Sequence, residues 1–155
     1  MRRWRTFRQL GPFERRIVLE AACGLLASWV GLRLAGFRRW QRVLAFFGPP
    51  PKTTGPARGA SDEEFARVIT RMEAAAARNI FARANCLEQS VVLWWLLRRN
   101  GINAVLRIGG RKESGQFEAH AWVELDGWVL DGSSQEHRHF VPFESPVLSM
   151  ESRTK

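Results

Sequence analysis

The sequence contains no tyrosine and only two cysteines, Cys23 and Cys86, among 155 residues. A secreted protein that relied on disulfides would carry more, so we predict two free thiols in a reducing, cytoplasmic compartment. No Cys-x-x-Cys pair and no Cys/His cluster with zinc-ligand spacing occurs. We therefore expect neither a metal nor another cofactor.

The apolar run near the N-terminus predicts no membrane-spanning helix. Near the N-terminus, residues 21–32 are uncharged for only 12 positions, between Glu20 and Arg33, whereas a spanning helix needs about 20. The run also comes late and lacks a small-x-small cleavage site, which argues against a secretory signal. We predict a helix that is buried or lies at an interface, in a cytoplasmic protein, with membrane association as an alternative.

Acidic residues are scarce in the first part of the chain. Residues 1–60 contain 12 Lys and Arg against 2 Asp and Glu, a net charge of +10, whereas residues 61–155 contain 12 against 13, a net charge of −1. Such asymmetry indicates an acidic partner, a nucleic acid or a membrane surface, and a solvated arginine-rich surface is the simpler alternative. We expect residues 1–48 to dock a partner or a membrane, and we expect no nucleic acid.

Prolines give the chain one clear boundary. Residues 49–60 contain four prolines, which excludes regular structure and predicts a linker. The linker separates a basic N-terminal helical region, residues 1–48, from a core domain, residues 61–145. Residues 146–155 are predicted to form a polar tail after the core domain.

Two helices are predicted before the central one. Residues 13–47 carry apolar residues at helical spacing, namely Leu19, Cys23, Leu26, Val30 and Phe37. Three glycines are expected to weaken or bend this helix, namely Gly24, Gly31 and Gly36. A second helix is predicted to begin at Ser61 and to extend through the alanines at 74–77.

The strongest helix signal runs from Asn85 to Gly101. Asn85 is a favourable N-cap, and Glu88 three residues later completes a capping box. Residues 91–97 are seven consecutive apolar residues, so this helix should be buried on all sides and central to the domain.

This prediction places Cys86 at the first helical position. Unpaired backbone N–H groups and the positive end of the helix dipole converge there and favour a thiolate. A backbone N–H at this end can also stabilise an oxyanion. The alternative is an inert buried cysteine, because free cysteine is among the most buried residue types.

Strands follow the central helix. Residues 104–108 form the first predicted strand, and residues 117–125 alternate between apolar and polar or aromatic positions. Asp126-Gly127 is typical of a two-residue hairpin turn, and residues 128–131 form the returning strand.

The hairpin register brings two candidate catalytic residues together. If Leu125 pairs with Trp128, counting back along the strands pairs Trp122 with Asp131. Asp131 then shares a face with His120 as a diagonal neighbour, about 7–8 Å away. An Asp on one imidazole nitrogen leaves the other to accept a thiol proton, so we predict Cys86 as nucleophile, His120 as base and Asp131 as orienting group.

Structural roles remain open for these residues. As an alternative, His120 is a strand histidine with satisfied hydrogen bonds and no catalytic role. The alternative for Asp131 is an acidic residue in the turn before Gly132. His137 and His139 are rivals for the base, but their polar loop gives no derivable geometry. A metal site built from them lacks a third ligand at suitable spacing.

Residues 85–131 contain motifs in a recognisable order. They are Cys86-Leu87 opening a helix, the Gly101-Ile102 break, the Arg107-Ile108-Gly109 strand and the block Ala119-His120-Ala121-Trp122-Val123-Glu124. This stretch, about a third of the chain, resembles the B2 proteins of lasso-peptide biosynthesis. The resemblance implies an α+β fold with a transglutaminase-like, papain-related cysteine protease core. In it a central helix packs on an antiparallel sheet, and an N-terminal helical region precedes both.

The resemblance also implies a function. B2 proteins are cysteine peptidases that remove the leader from a ribosomally made precursor peptide, and the family's nucleophile, base and acid fall on Cys86, His120 and Asp131. An ATP-dependent macrolactam synthetase then closes the ring. No recognition domain precedes the linker, so the chain resembles the split form, in which a separate protein binds the leader.

Two rival functions and one further site residue remain. The same triad could serve transglutaminase or amidase chemistry, or the chain could be a non-catalytic basic module that binds a membrane, a nucleic acid or a protein partner. Trp122 is a candidate for lining the substrate groove, with plain packing as its alternative.

Overall fold

The computed structural model describes residues 10–47, 60–79, 84–113, 115–130 and 139–143. Its helices precede its strands, in the order α1 (Pro12–Phe47), α2 (Ala60–Asn79), α3 (Cys86–Arg99), β1 (Val105–Glu113), β2 (Gln116–Leu125), β3 (Trp128–Val129) and β4 (Val141–Pro142). The prediction of an α+β fold is confirmed. The polar tail 146–155 and all of the linker except Ala60 lie outside the described residues.

Helix α3 lies at the centre of the fold, as predicted. Six of the seven residues from Val91 to Leu97 are buried, and Trp95 is half-buried. The helix contacts α1 and α2 on one side and the sheet on the other. Gly101 follows its end with a φ of 83°, the left-handed conformation that glycine adopts readily after a helix.

Helix α1 packs through a different face from the one that the apolar spacing suggested. Its buried face carries Ile17, Ala21, Leu25 and Ser28. The predicted apolar positions are instead exposed, apart from Phe37, which is half-buried against the core. By length and composition alone, the segment Pro12–Phe37 could also cross a membrane. Its buried face shares one core with α2 and α3, as expected of a helix that belongs to the folded domain.

The glycines of α1 have two different roles. Gly36 breaks the helix, with a φ of 73° and a ψ of 165°, so the predicted bend lies there. Gly31 instead makes room for the Trp40 ring, since a Cβ at this position would lie 2.3 Å from that ring. Trp40 also donates from Nε1 to Ser28 Oγ at 3.4 Å, which fastens the segment after the break onto the segment before it.

Helix α2 begins at Ala60, one residue before the predicted start, and it includes the alanine run as expected.

The strands form one antiparallel sheet in the order β3-β2-β1-β4. Strand β1 starts one residue later than predicted and continues through Gly109 and Gly110 to Glu113. Strand β4 was not predicted, and it pairs through Val141 and Pro142 with those two glycines.

The β2–β3 hairpin has the predicted register. Leu125 pairs with Trp128, and Glu124 pairs with Val129. Asp126 and Gly127 both have positive φ values, 50° and 84°, as a type I′ turn requires.

Candidate functional site

Cys86 is the first residue of α3, and its thiol is free and half-buried. The predicted capping box is present: Glu88 N donates to Asn85 Oδ1 at 2.9 Å, and Asn85 N donates to Glu88 Oε2 at 3.0 Å. Glu88 is only 3% exposed, whereas Asn85 is exposed, so the bonds are partly buried. They fix the first turn of the helix and hold the backbone at Cys86 in place.

His120 lies on β2, half-buried between aromatic neighbours. Its ring stacks on Trp122 at 6.1 Å between centroids and contacts the Phe140 ring at 5.1 Å. The Arg111 guanidinium lies 4.8 Å from the centre of the Phe140 ring. The two aromatic rings pack against the imidazole and restrict its rotation.

Trp122 is 2% exposed, although it lies outside the main core cluster. Its Nε1 donates to Glu124 at 2.8 Å, and Glu124 accepts from Arg107 at 3.0 Å. Gly109 leaves space for the ring, since a Cβ there would lie 2.8 Å from it. The contacts of Trp122 are therefore those of a packed side chain that supports His120.

One buried hydrogen bond joins the helix that carries Cys86 to the strand that carries His120. Ser90 Oγ donates to the Ala121 carbonyl at 2.8 Å. Ser90 lies one helical turn after Cys86 and so on the same helix face, and Ala121 is the neighbour of His120. The bond fixes the start of α3 relative to the middle of β2.

Asp131 and His137 lie outside the described residues. The register that was used to place Asp131 continues as far as the structure describes it, because Leu130 N donates to the Val123 carbonyl at 2.9 Å. The next pairing would be that of Trp122 with Asp131, and it stays a prediction. His139 is exposed beside Phe140.

Partial or complete burial shifts the pKa of two ionisable side chains in the helices. Burial raises the pKa of Glu73 on α2 to about 8, although the charge of Arg78 acts in the opposite direction. Burial also lowers the pKa of Arg98 on α3, whose guanidinium lies 5.0 Å from the Trp94 ring centre. Within the described ranges, no group of three His, Cys, Asp or Glu side chains could hold a metal ion.

Sequence reasoning missed four contributors to this site. Ser90 looked like an ordinary helical residue, and Phe140 and Arg111 gave no sign that they would meet near His120. For Gly109 a signal existed, since a glycine inside a strand indicates a close approach by a neighbouring group.

A family model described as the transglutaminase-like superfamily matches residues 29–145. The match includes the C-terminal part of α1 and every described residue from α2 to β4. Among curated proteins and solved structures, none matches the chain.

Proposed function

Because the chain belongs to the transglutaminase-like superfamily, whose members are typically cysteine-type enzymes, we propose that it is a leader peptidase of lasso-peptide maturation. Its substrate would be the ribosomally made precursor, and its nucleophile would be Cys86. The superfamily itself suggests either cysteine peptidase or acyltransferase activity. The leader-peptidase assignment rests on the likeness of residues 85–131 to B2 proteins.

The observation that carries the proposal is the position of Cys86. The residue opens a helix whose first turn is fixed by a capping box with a buried Glu88. The next turn is bonded through Ser90 to the strand of His120. A thiol at a helix start next to a histidine-bearing strand fits nucleophilic acyl transfer.

The proposed reaction begins when His120 takes the thiol proton and the Cys86 sulfur attacks the carbonyl carbon of the last leader residue. The carbonyl π electrons move onto oxygen, where the backbone N–H of Cys86 stabilises the negative charge. The carbon–nitrogen bond then breaks, and His120 gives its proton to the leaving amine of the core peptide. Water activated by His120 hydrolyses the thioester, which releases the leader and restores the thiol.

The surroundings of His120 suit this role. Trp122 and Phe140 hold the ring between aromatic surfaces, and the Trp122 ring is itself fixed by its bond to Glu124. Asp131, two residues beyond Val129, would accept a hydrogen bond from the imidazole and select its tautomer.

Two partners belong to the proposal. A separate protein would bind the leader and present it, and an ATP-dependent macrolactam synthetase would consume the freed core peptide. Both come from the likeness to B2 proteins of the split type.

The two cysteines allow a matched test of the nucleophile. The protein is incubated with the precursor encoded beside it, with and without a leader-binding partner, and the products are weighed by mass spectrometry. Cys86→Ala is expected to reduce cleavage by about 10³-fold or more, whereas Cys23→Ala, at an exposed position of α1, should cleave normally. Unchanged cleavage by Cys86→Ala would refute the proposal. If the leader were released joined to an amine, without a free carboxylate, the activity would instead be that of a transglutaminase.

The histidines provide a second matched pair. His120→Ala is expected to abolish cleavage, and His139→Ala is expected to retain it, because only His120 is held next to Trp122 on β2. The opposite pattern would make His139 the base. Asp131→Asn should retain the fold and lose most of the rate, which is the direct check on the third residue.

A further inference from the structure

Helix α1 carries an exposed apolar stripe along the side that faces away from the core. It consists of Leu19, Cys23, Leu26, Val30 and Leu34, spaced three or four residues apart. The four aliphatic members are 37–82% exposed, and Leu34 is the most exposed. A stripe of this length on a helix surface indicates a binding face rather than scattered surface residues.

The stripe continues into a groove. The groove has a volume of about 490 Å³ and is bordered by the stripe residues Leu19 and Cys23, by Trp40 and Val43 after the Gly36 break, and by Trp95 of α3. Its walls are almost entirely apolar. Stripe and groove together form one apolar surface on the helical side of the molecule.

Cationic residues flank this surface. Exposed Arg15 and Arg16 precede the stripe, and exposed Arg33 lies beside its last residue. Arg39 and Arg42, which follow the break, are also exposed. These residues belong to the part of the chain with a net charge of +10.

We propose that α1 binds an anionic membrane surface, with the stripe inserted at the boundary between headgroups and acyl chains and the arginines among the headgroups. An apolar face with basic flanks fits such a surface. The helix would lie on the membrane and not span it, because Ile17, Ala21 and Leu25 on its other face are packed in the protein core.

Charge favours a membrane over a second copy of the chain. A symmetric dimer through the stripe would place the flanking arginines of one copy near those of the other. An anionic lipid surface instead supplies the opposite charge to the arginines, which outnumber Glu20, the acid that is ion-paired with Arg16 at 2.8 Å. The interaction is independent of the peptidase chemistry, since no stripe residue belongs to the proposed triad.

The test uses the full chain and vesicle co-sedimentation. Vesicles of phosphatidylcholine mixed with phosphatidylglycerol should bind the protein, and vesicles of phosphatidylcholine alone should bind it much more weakly. Leu34→Glu should weaken binding by at least about tenfold, and Arg33→Gln by about fivefold. The matched control is Trp128→Glu, which makes the same change in charge at a position that is 75% exposed on β3 and should bind normally.

Controls for folding, for the catalytic proposal and for dimerisation make the result decisive. Circular dichroism and thermal unfolding check that Leu34→Glu remains folded, as expected for a residue that is 82% exposed. Cys86→Ala should bind vesicles like the parent protein, so a failure of the peptidase proposal would leave this result untouched. Equal binding to both vesicle types would overturn the inference. So would a dimer in analytical ultracentrifugation that Leu34→Glu dissociates in the absence of vesicle binding.

Discussion

Helices α1 and α3 are both apolar, yet the structure uses them in opposite ways. Helix α3 is buried on nearly every side and begins with a complete capping box. Helix α1 has one buried face and one exposed apolar face. Its start is only half capped, because Gly11 N donates to Glu14 Oε2 at 2.8 Å and Gly11 has no side chain to reciprocate.

The difference shows that apolar content alone does not define the role of a helix. In α3 the capping box and the burial fix the first turn, so the side chain of Cys86, the proposed nucleophile, acquires a defined position. In α1 the exposed stripe and the flanking arginines form the surface that is proposed to bind a membrane. The proposed chemistry therefore falls on α3 and the proposed membrane contact on α1.

The largest predicted effect concerns Glu73, on the helix that packs against both α1 and α3. Its pKa rises from 4.5 to about 8 on folding, so the folded state keeps a proton that the unfolded chain releases. The free energy of unfolding is therefore highest below pH 4.5, where both states are protonated. It falls as the pH rises to about 8, because only the unfolded chain releases the proton of Glu73. The loss reaches about 5 kcal/mol at most.

Urea unfolding at several pH values measures this dependence. Glu73→Gln should remove it, and Glu64→Gln, at an exposed position of the same helix, should retain it. A parent protein equally stable at pH 5 and pH 8.5 would contradict the assignment.

A matched pair of leucines tests the contrast between the helices. Leu97→Ala in α3 is expected to cost about 2–5 kcal/mol, because the side chain is completely buried. Leu34→Ala in α1 should change the free energy of unfolding by no more than about 0.5 kcal/mol, since the side chain is largely exposed. Similar losses at both positions would mean that the stripe is covered within the protein.

The smallest predicted effects concern the helix starts. Asn85→Ala should cost about 1 kcal/mol, because it removes the acceptor for Glu88 N. Gly11→Asn should add about a few tenths of a kcal/mol by completing the cap of α1. Thermal unfolding of both variants measures the changes, and a destabilised Gly11→Asn would show that the start of α1 does not accept a side-chain cap.

The parts of the fold that the sequence predicted are those encoded by neighbouring residues. The start of α3 depends on Asn85 and Glu88, three residues apart, and the β2–β3 register depends on the turn at Asp126-Gly127. Such features follow from local hydrogen bonds and backbone preferences. The position of Cys86 at a helix start and the strand position of His120 could therefore be predicted from local sequence alone.

The missed features depend on contacts between distant segments. Strand β4 has only two residues and exists through its pairing with β1, and Phe140 reaches His120 by the same route. Helical spacing identified apolar faces on α1, but it could not say which face α2 and α3 would cover. Gly31 was expected to weaken the helix and instead receives Trp40.

The capping box at Asn85 and Glu88 has a consequence for the order of folding. Its bonds span three residues, whereas the bond between Ser90 and Ala121 spans 31. Short-range contacts cost little chain entropy and form readily, while distant ones wait for the chain to close. We expect the half of the site that holds Cys86 to form first and the half that holds His120 to join it only when the sheet assembles. The proposed nucleophile and the proposed base would then come together only at the last step of folding.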